Sequence, residues 1–116
     1  MNQERHNLDV RVAREPDATV VRLTGEVDLR TSPQLRGTFL ELLDEQTPRI
    51  ILDLTGVDYV DSSGVGTIVE LKRRAMRNES KVVLVGLQAR VRSLFEITRL
   101  DKFFLIAPSI DEARQA

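Results

Sequence analysis

The chain contains no cysteine and no tryptophan, and only one histidine, one tyrosine and four phenylalanines among its 116 residues. Without cysteine there is no disulfide, no thiolate nucleophile and no Cys-ligated zinc, which fits a reducing compartment. Five aromatic rings offer little surface on which nucleic-acid bases can stack. An excess of either charge is missing too. Seventeen Lys and Arg stand against eighteen Asp and Glu, a net charge of −1, so nothing drives the chain generally toward DNA or an anionic membrane. No apolar run approaches the ~20 residues that cross a bilayer. The opening Met1-Asn2-Gln3-Glu4-Arg5-His6-Asn7 lacks the apolar stretch of a secretory signal. These absences predict a cytoplasmic protein with no membrane insertion and no direct nucleic-acid contact.

What is present is ordinary for a folded protein: 41% hydrophobic and 30% charged residues. The length suits one domain with its own core, expected over 1–116 with 1–7 as a flexible start. Leu8, Val10 and Val12 alternate with Asp9 and Arg11, the period of a strand with one wet face. Glu15-Pro16-Asp17-Ala18 reads as a turn, and 19–24 as an antiparallel partner strand. Gly25-Glu26-Val27-Asp28 is expected to leave the sheet. Thr31-Ser32-Pro33 predicts a helix start with Ser32 as N-cap and Pro33 at the first helical position, followed by the stripe Leu35, Phe39, Leu42, Leu43. Residues 49–54 read as a strand buried on both faces, and 55–61 as the loop after it. A second helix is expected over 62–76, with Val65, Ile68, Val69, Leu71 or Lys72, and Met76 defining its inward stripe. Residues 81–86 then suggest a strand, 88–100 a helix and 103–106 a short strand. A terminal helix over 110–116, capped by Ser109, completes the chain.

The order β-β-α-β-α-β-α-β-α predicts an α/β domain. Its sheet is mainly parallel with four to five strands, an antiparallel N-terminal hairpin and about four helices. In such sheets the loops at the carboxyl ends of the strands form the functional rim, and here 25–28 and 55–61 should share it.

The stretch Val60-Asp61-Ser62-Ser63-Gly64-Val65-Gly66 stands at that rim and opens the second helix. Asp and Ser cap helix N-termini, and the positive end of the helix favours an anion beside it. The pattern alone leaves two readings of Asp61-Ser62 open: a plain cap, or an exposed hydroxyl that carries a phosphate. Other chemistries fit less well. A Ser-His-Asp triad would have to use His6, and no G-x-S-x-G elbow is present. Gly64-x-Gly66 has neither the spacing nor the Lys-Ser/Thr ending of a P-loop, so the glycines read as room for close packing. Glu26, Asp28 and Asp61 would suit Mg²⁺ as a trio, but Asp at loop ends equally makes turns and caps. Caps and partner contacts are the preferred reading. Lys72, Arg73, Arg74, Arg77 and Lys81 read as a solvated helix face. No metal or cofactor is expected.

Leu23-Thr24-Gly25-Glu26-Val27-Asp28, then an apolar strand, then Val60-Asp61-Ser62-Ser63-Gly64-Val65-Gly66, then Val91-Arg92-Ser93-Leu94-Phe95-Glu96-Ile97-Thr98-Arg99-Leu100 together resemble the bacterial anti-sigma factor antagonists of the STAS domain family. The likeness runs from about Leu8 to Ile110. It implies a binding switch with no catalysis of its own. The unphosphorylated form binds an anti-sigma factor that is also a serine/threonine kinase, and so frees a sigma factor. The resemblance assigns Ser62 as the phosphate acceptor and a PP2C-type phosphatase as the enzyme that removes the phosphate. It assigns Glu26, Asp28, Asp61, Ser62, Ser63, Gly64 and Gly66 to the partner surface. Val65 departs from the family's commoner Leu, with a slight effect on packing expected. Transporter-associated and lipid-transport STAS domains often lack the Asp-Ser pair. A STAS scaffold or subunit of another assembly, such as a lipid-transport ATPase or a signalling complex, is the alternative, with a nucleotide-binding domain behind it.

Overall fold

A computed structural model describes residues 7–116; the expectation of a flexible start over 1–7 lies, except for Asn7, outside that range. Five strands form one sheet in the order β1-β2-β3-β4-β5: β1 Leu8–Arg14, β2 Thr19–Val27, β3 Arg49–Val60, β4 Lys81–Val85 and β5 Leu105–Ala107. β1 and β2 are antiparallel and the other pairs parallel. The helices are α1 Ser32–Asp44, α2 Ser62–Arg77, α3 Ala89–Ile97 and α4 Ile110–Ala113, with a 3₁₀ turn at Leu100–Lys102. The predicted α/β class, order of strands and helices along the chain, and N-terminal hairpin are all observed.

Alternation along the parallel strands divides the core in two. Val21, Leu23, Ile50, Leu52, Val82 and Leu84 meet Leu35, Phe39 and Leu42 of α1, Ile68, Leu71 and Ala75 of α2, and Val91 and Phe95 of α3. On the other face Val20, Ile51, Val83, Val85 and Ala107 form a smaller cluster closed by Ala113 of α4. Three helices therefore cover one face and a single short helix the other. Arg114, paired with Glu15 of the β1–β2 turn, holds α4 in place.

Several boundaries differ from the expectation. Residues 25–28 and 55–61 are paired strand ends over most of their length, since Glu26 lies opposite Tyr59 and Val27 opposite Val60. The register slips between Arg22 and Thr24, and again between Gly25 and Glu26, and each slip puts one extra residue on β3. The two bulges turn its buried period from two to three, so that Leu54, Val57 and Val60 all point into the core. The N-cap of α1 is Thr31, with Ser32 buried inside the helix. Ala75 faces inward on α2 where Met76 was expected; Met76 is 58% exposed. α3 stops at Ile97 because Arg99 takes a left-handed φ of 62° and starts the 3₁₀ turn. Phe103 and Phe104 then pack as edge-on rings at 5.2 Å, with Phe95 next at 5.7 Å, ahead of the short β5. The terminal helix is shorter than expected, but Ser109 caps it as foreseen, its side chain accepting the N–H of Glu112.

Candidate partner-binding and modification site

The site forms where β2 and β3 end side by side and deliver the chain into α1 and α2. Asp61 is the N-cap of α2, with extended backbone. Its Oδ1 accepts the Gly64 N–H at 2.9 Å, and its Oδ2 accepts the Leu29 N–H at 3.2 Å from the loop after β2. Its own N–H donates to the Val27 carbonyl at 3.1 Å. One carboxylate thus fastens both halves of the rim. Asp61→Ala removes the cap and this tether together, and should lower stability by about 1–2 kcal/mol in a urea titration.

Asp28 sits beneath the surface, 7% exposed. Its Oδ1 accepts the N–H groups of Arg30 at 2.9 Å and Thr31 at 3.1 Å. The Thr31 hydroxyl accepts the Asp28 N–H at 2.9 Å and donates to the Glu26 carbonyl at 2.8 Å. Asp28 therefore folds the turn ahead of α1, the turn that places Leu29 and Arg30 outside, while Thr31 as N-cap makes no side-chain cap bond to the helix.

Ser62 is the first residue of α2 and is exposed; Ser63 is half-buried. The Val65 N–H goes to the Asp61 carbonyl at 2.9 Å and that of Gly64 to the Asp61 side chain. Among the described residues, the N–H groups of Ser62 and Ser63 are left at the open, positive end of the helix. Gly64 is required where it stands, because a Cβ there would lie 2.4 Å from the Val27 carbonyl oxygen. Gly66 is not required: nothing lies within 4 Å of a Cβ built on it. The reading of both glycines as packing room holds for Gly64 alone.

The rim beside Asp61 is apolar to an extent that the sequence did not announce. Leu29 is 72% exposed, Tyr59 44% and Ile97 79%. Tyr59 divides two hollows. One, about 440 Å³, is lined by Glu26, Asp28, Leu29, Arg30, Tyr59 and Asp61. The other, about 270 Å³, is lined by Tyr59, Val60, Arg90, Val91, Ser93, Leu94 and Ile97. Large exposed apolar residues gathered on one face mark an interaction surface, and Tyr is a frequent anchor in such surfaces. The available signals were weak: the lone tyrosine of the chain, a leucine between Asp28 and Arg30 in the turn after β2, and an isoleucine off the stripe of α3. Among the described residues no cluster of His, Cys, Asp or Glu has the arrangement of a metal site, and no helix is long and apolar enough to cross a membrane.

Behind the site, Glu70 of α2 accepts two hydrogen bonds at 3.0 Å from Arg36 of α1, and one at 2.9 Å from Arg74. Those bonds, from Arg36 first and then Arg74, hold the Glu70 carboxyl below its ordinary value, so it stays charged and keeps the two helices aligned.

The exposed serine at the start of α2 thus stands next to the Asp61 carboxylate, on the rim that carries Leu29 and Tyr59. A model of the STAS domain matches residues 9–113. The anti-sigma-B factor antagonist of Staphylococcus epidermidis is 30% identical over 94 residues, covering 81% of this chain and 87% of that protein. Among solved structures, an anti-sigma factor antagonist from Mycobacterium paratuberculosis superposes with a TM-score of 0.86 at 23% identity, over 95% of this chain and 93% of that one. SpoIIAA from Bacillus, solved in its phosphorylated form, gives 0.72 at 22% identity over 92% and 97%. The chain belongs to the STAS domain family.

Proposed function

We propose that this protein is an anti-sigma factor antagonist. Its unmodified form binds an anti-sigma factor that is also a serine/threonine kinase, and phosphorylation of Ser62 ends the binding. The observation that carries this reading is the position of Ser62: an exposed residue opening α2, directly after Asp61, which lines the hollow shared with Glu26, Leu29 and Tyr59. The relatives named anti-sigma-B factor antagonist and a structural neighbour solved in a phosphorylated form support it. Ser62 acts as a substrate, with no catalysis by this chain; a PP2C-type phosphatase restores the hydroxyl. The setting is cytoplasmic.

Phosphoserine brings about −1.5 to −2 charges at neutral pH. At the first turn of α2 that charge meets open N–H groups and a favourable dipole, so the fold keeps its shape. The partner, in contrast, would have to bury a phosphate beside Glu26, Asp28 and Asp61. A nucleotide-binding reading is disfavoured because the sheet runs in strict sequential order, without the reversal that opens a nucleotide crevice. The test is incubation with the candidate anti-sigma kinase and Mg-ATP, followed by tandem mass spectrometry. One phosphate on Ser62 is expected; phosphate on Ser63, or none, would refute the assignment.

A further inference from the structure

Two glycines sit in helices with nothing within 4 Å of a Cβ built on them: Gly37 in α1 and Gly66 in α2. Glycine inside a helix is less stable than alanine, since it surrenders more backbone freedom and packs nothing. Among the described residues no contact explains Gly66. It follows Ser62 by four residues, and so stands one turn further along the same face. A hollow of about 280 Å³ opens beside it, bordered by Val69, Glu70, Arg73, Arg74 and Arg77.

The charges around this hollow are unequally matched. Glu70 is held between Arg36 and Arg74, and Lys72 is turned to the Phe103 ring, 5.7 Å from its centre. Arg73 and Arg77 are exposed and make no ion pair among the described residues. A bare stretch of helix backbone flanked by two open guanidinium groups is complementary to a closely packed segment that carries carboxylates.

Resting on the reading of Ser62 as the switch, we infer that the anti-sigma partner's contact continues down α2. Its main chain or a small side chain seats against Gly66, and an acidic segment lies over Arg73 and Arg77. Arg73 is eleven residues beyond Ser62, about 16 Å along the helix, and charges at that distance are screened over about 8 Å at physiological salt. The basic end of α2 therefore sets affinity and orientation without sensing the phosphate. Glycine at 66 leaves the helix weaker and the approach open.

The experiment uses the full chain and, as probe, the purified anti-sigma kinase. Gly66→Leu should melt no lower than the unaltered protein, yet bind the kinase at least about 30-fold more weakly. Gly37→Leu, equally open on another helix, should bind normally. Arg73→Glu combined with Arg77→Glu should slow association about tenfold at low salt and flatten its salt dependence. Their factor should be the same in a Ser62→Asp background, as expected for distant independent sites. If Gly66→Leu and the arginine variant bind like the unaltered protein while Ser62→Asp is released, the extended contact is wrong and the switch stands. If the unaltered protein is neither bound nor phosphorylated by the kinase, the functional reading falls and this inference with it.

Discussion

Gly64→Ala should unfold at a temperature roughly 8–10 °C below the unaltered protein, a net loss of about 2 kcal/mol. The added methyl would stand 2.4 Å from the Val27 carbonyl oxygen, 2.8 Å from Val27 Cγ1 and 2.9 Å from Val60 Cγ1. None of these can give way cheaply. The carbonyl is pinned by the Asp61 N–H, and both valines are buried in the core. The clash costs about 3 kcal/mol, of which alanine's better helix propensity returns about 1. A thermal melt followed by circular dichroism checks it. Alanine at 64 melting at or above the original temperature would mean that α2 does not press against the end of β2 as described.

Ser62→Asp should leave the melting curve nearly unchanged and weaken binding to the anti-sigma kinase by about 100-fold, or about 3 kcal/mol. The two halves of this prediction have separate causes. Within the chain, a carboxylate at the first turn of α2 adds a favourable interaction with the helix dipole, worth less than about 1 kcal/mol at an exposed site. Across the interface, the same charge enters a face that already carries Glu26, Asp28 and Asp61. The partner must then desolvate it without a counter-charge, and an unpaired buried charge easily costs several kcal/mol. Ser62→Ala, which adds neither charge nor bulk, should bind as the unaltered protein does and resist release by ATP. Surface plasmon resonance on the three proteins separates these outcomes. Equal affinity for Ser62→Asp would remove the electrostatic basis of the switch.

The sequence announced the order of elements because most strands and helices obey one period each. Val82-Val83-Leu84-Val85 and Leu35 with Phe39 and Leu42 need no tertiary context to be read. The second half of β3 was illegible for a physical reason. Its two bulges replace alternation by a spacing of three, and Gly56 and Asp58 between the buried positions imitate a loop. Met76 was preferred over Ala75 because size alone suggests burial, while the helix phase set by Ile68 and Leu71 puts Ala75 inside and Met76 outside. Asp61 as a cap was legible from type and position. Its second bond, to Leu29 thirty-two residues earlier, was not, since it depends on the two strands ending side by side. Asp28 as the acceptor that folds the turn before α1 was hidden similarly, since its bonds to the Arg30 and Thr31 N–H groups depend on how the chain leaves β2. Leu29, Tyr59 and Ile97 escaped notice because apolar residues are read as core until a structure exposes them.

The most direct measurement is calorimetric titration of the purified anti-sigma kinase with two preparations of this protein. One is unmodified; the other carries a single phosphate verified on Ser62. Tight binding of the first and a Kd about 100-fold higher for the second is the expected result. Equal dissociation constants for the two, with the phosphate confirmed in place, would contradict the assignment of Ser62 as the switch.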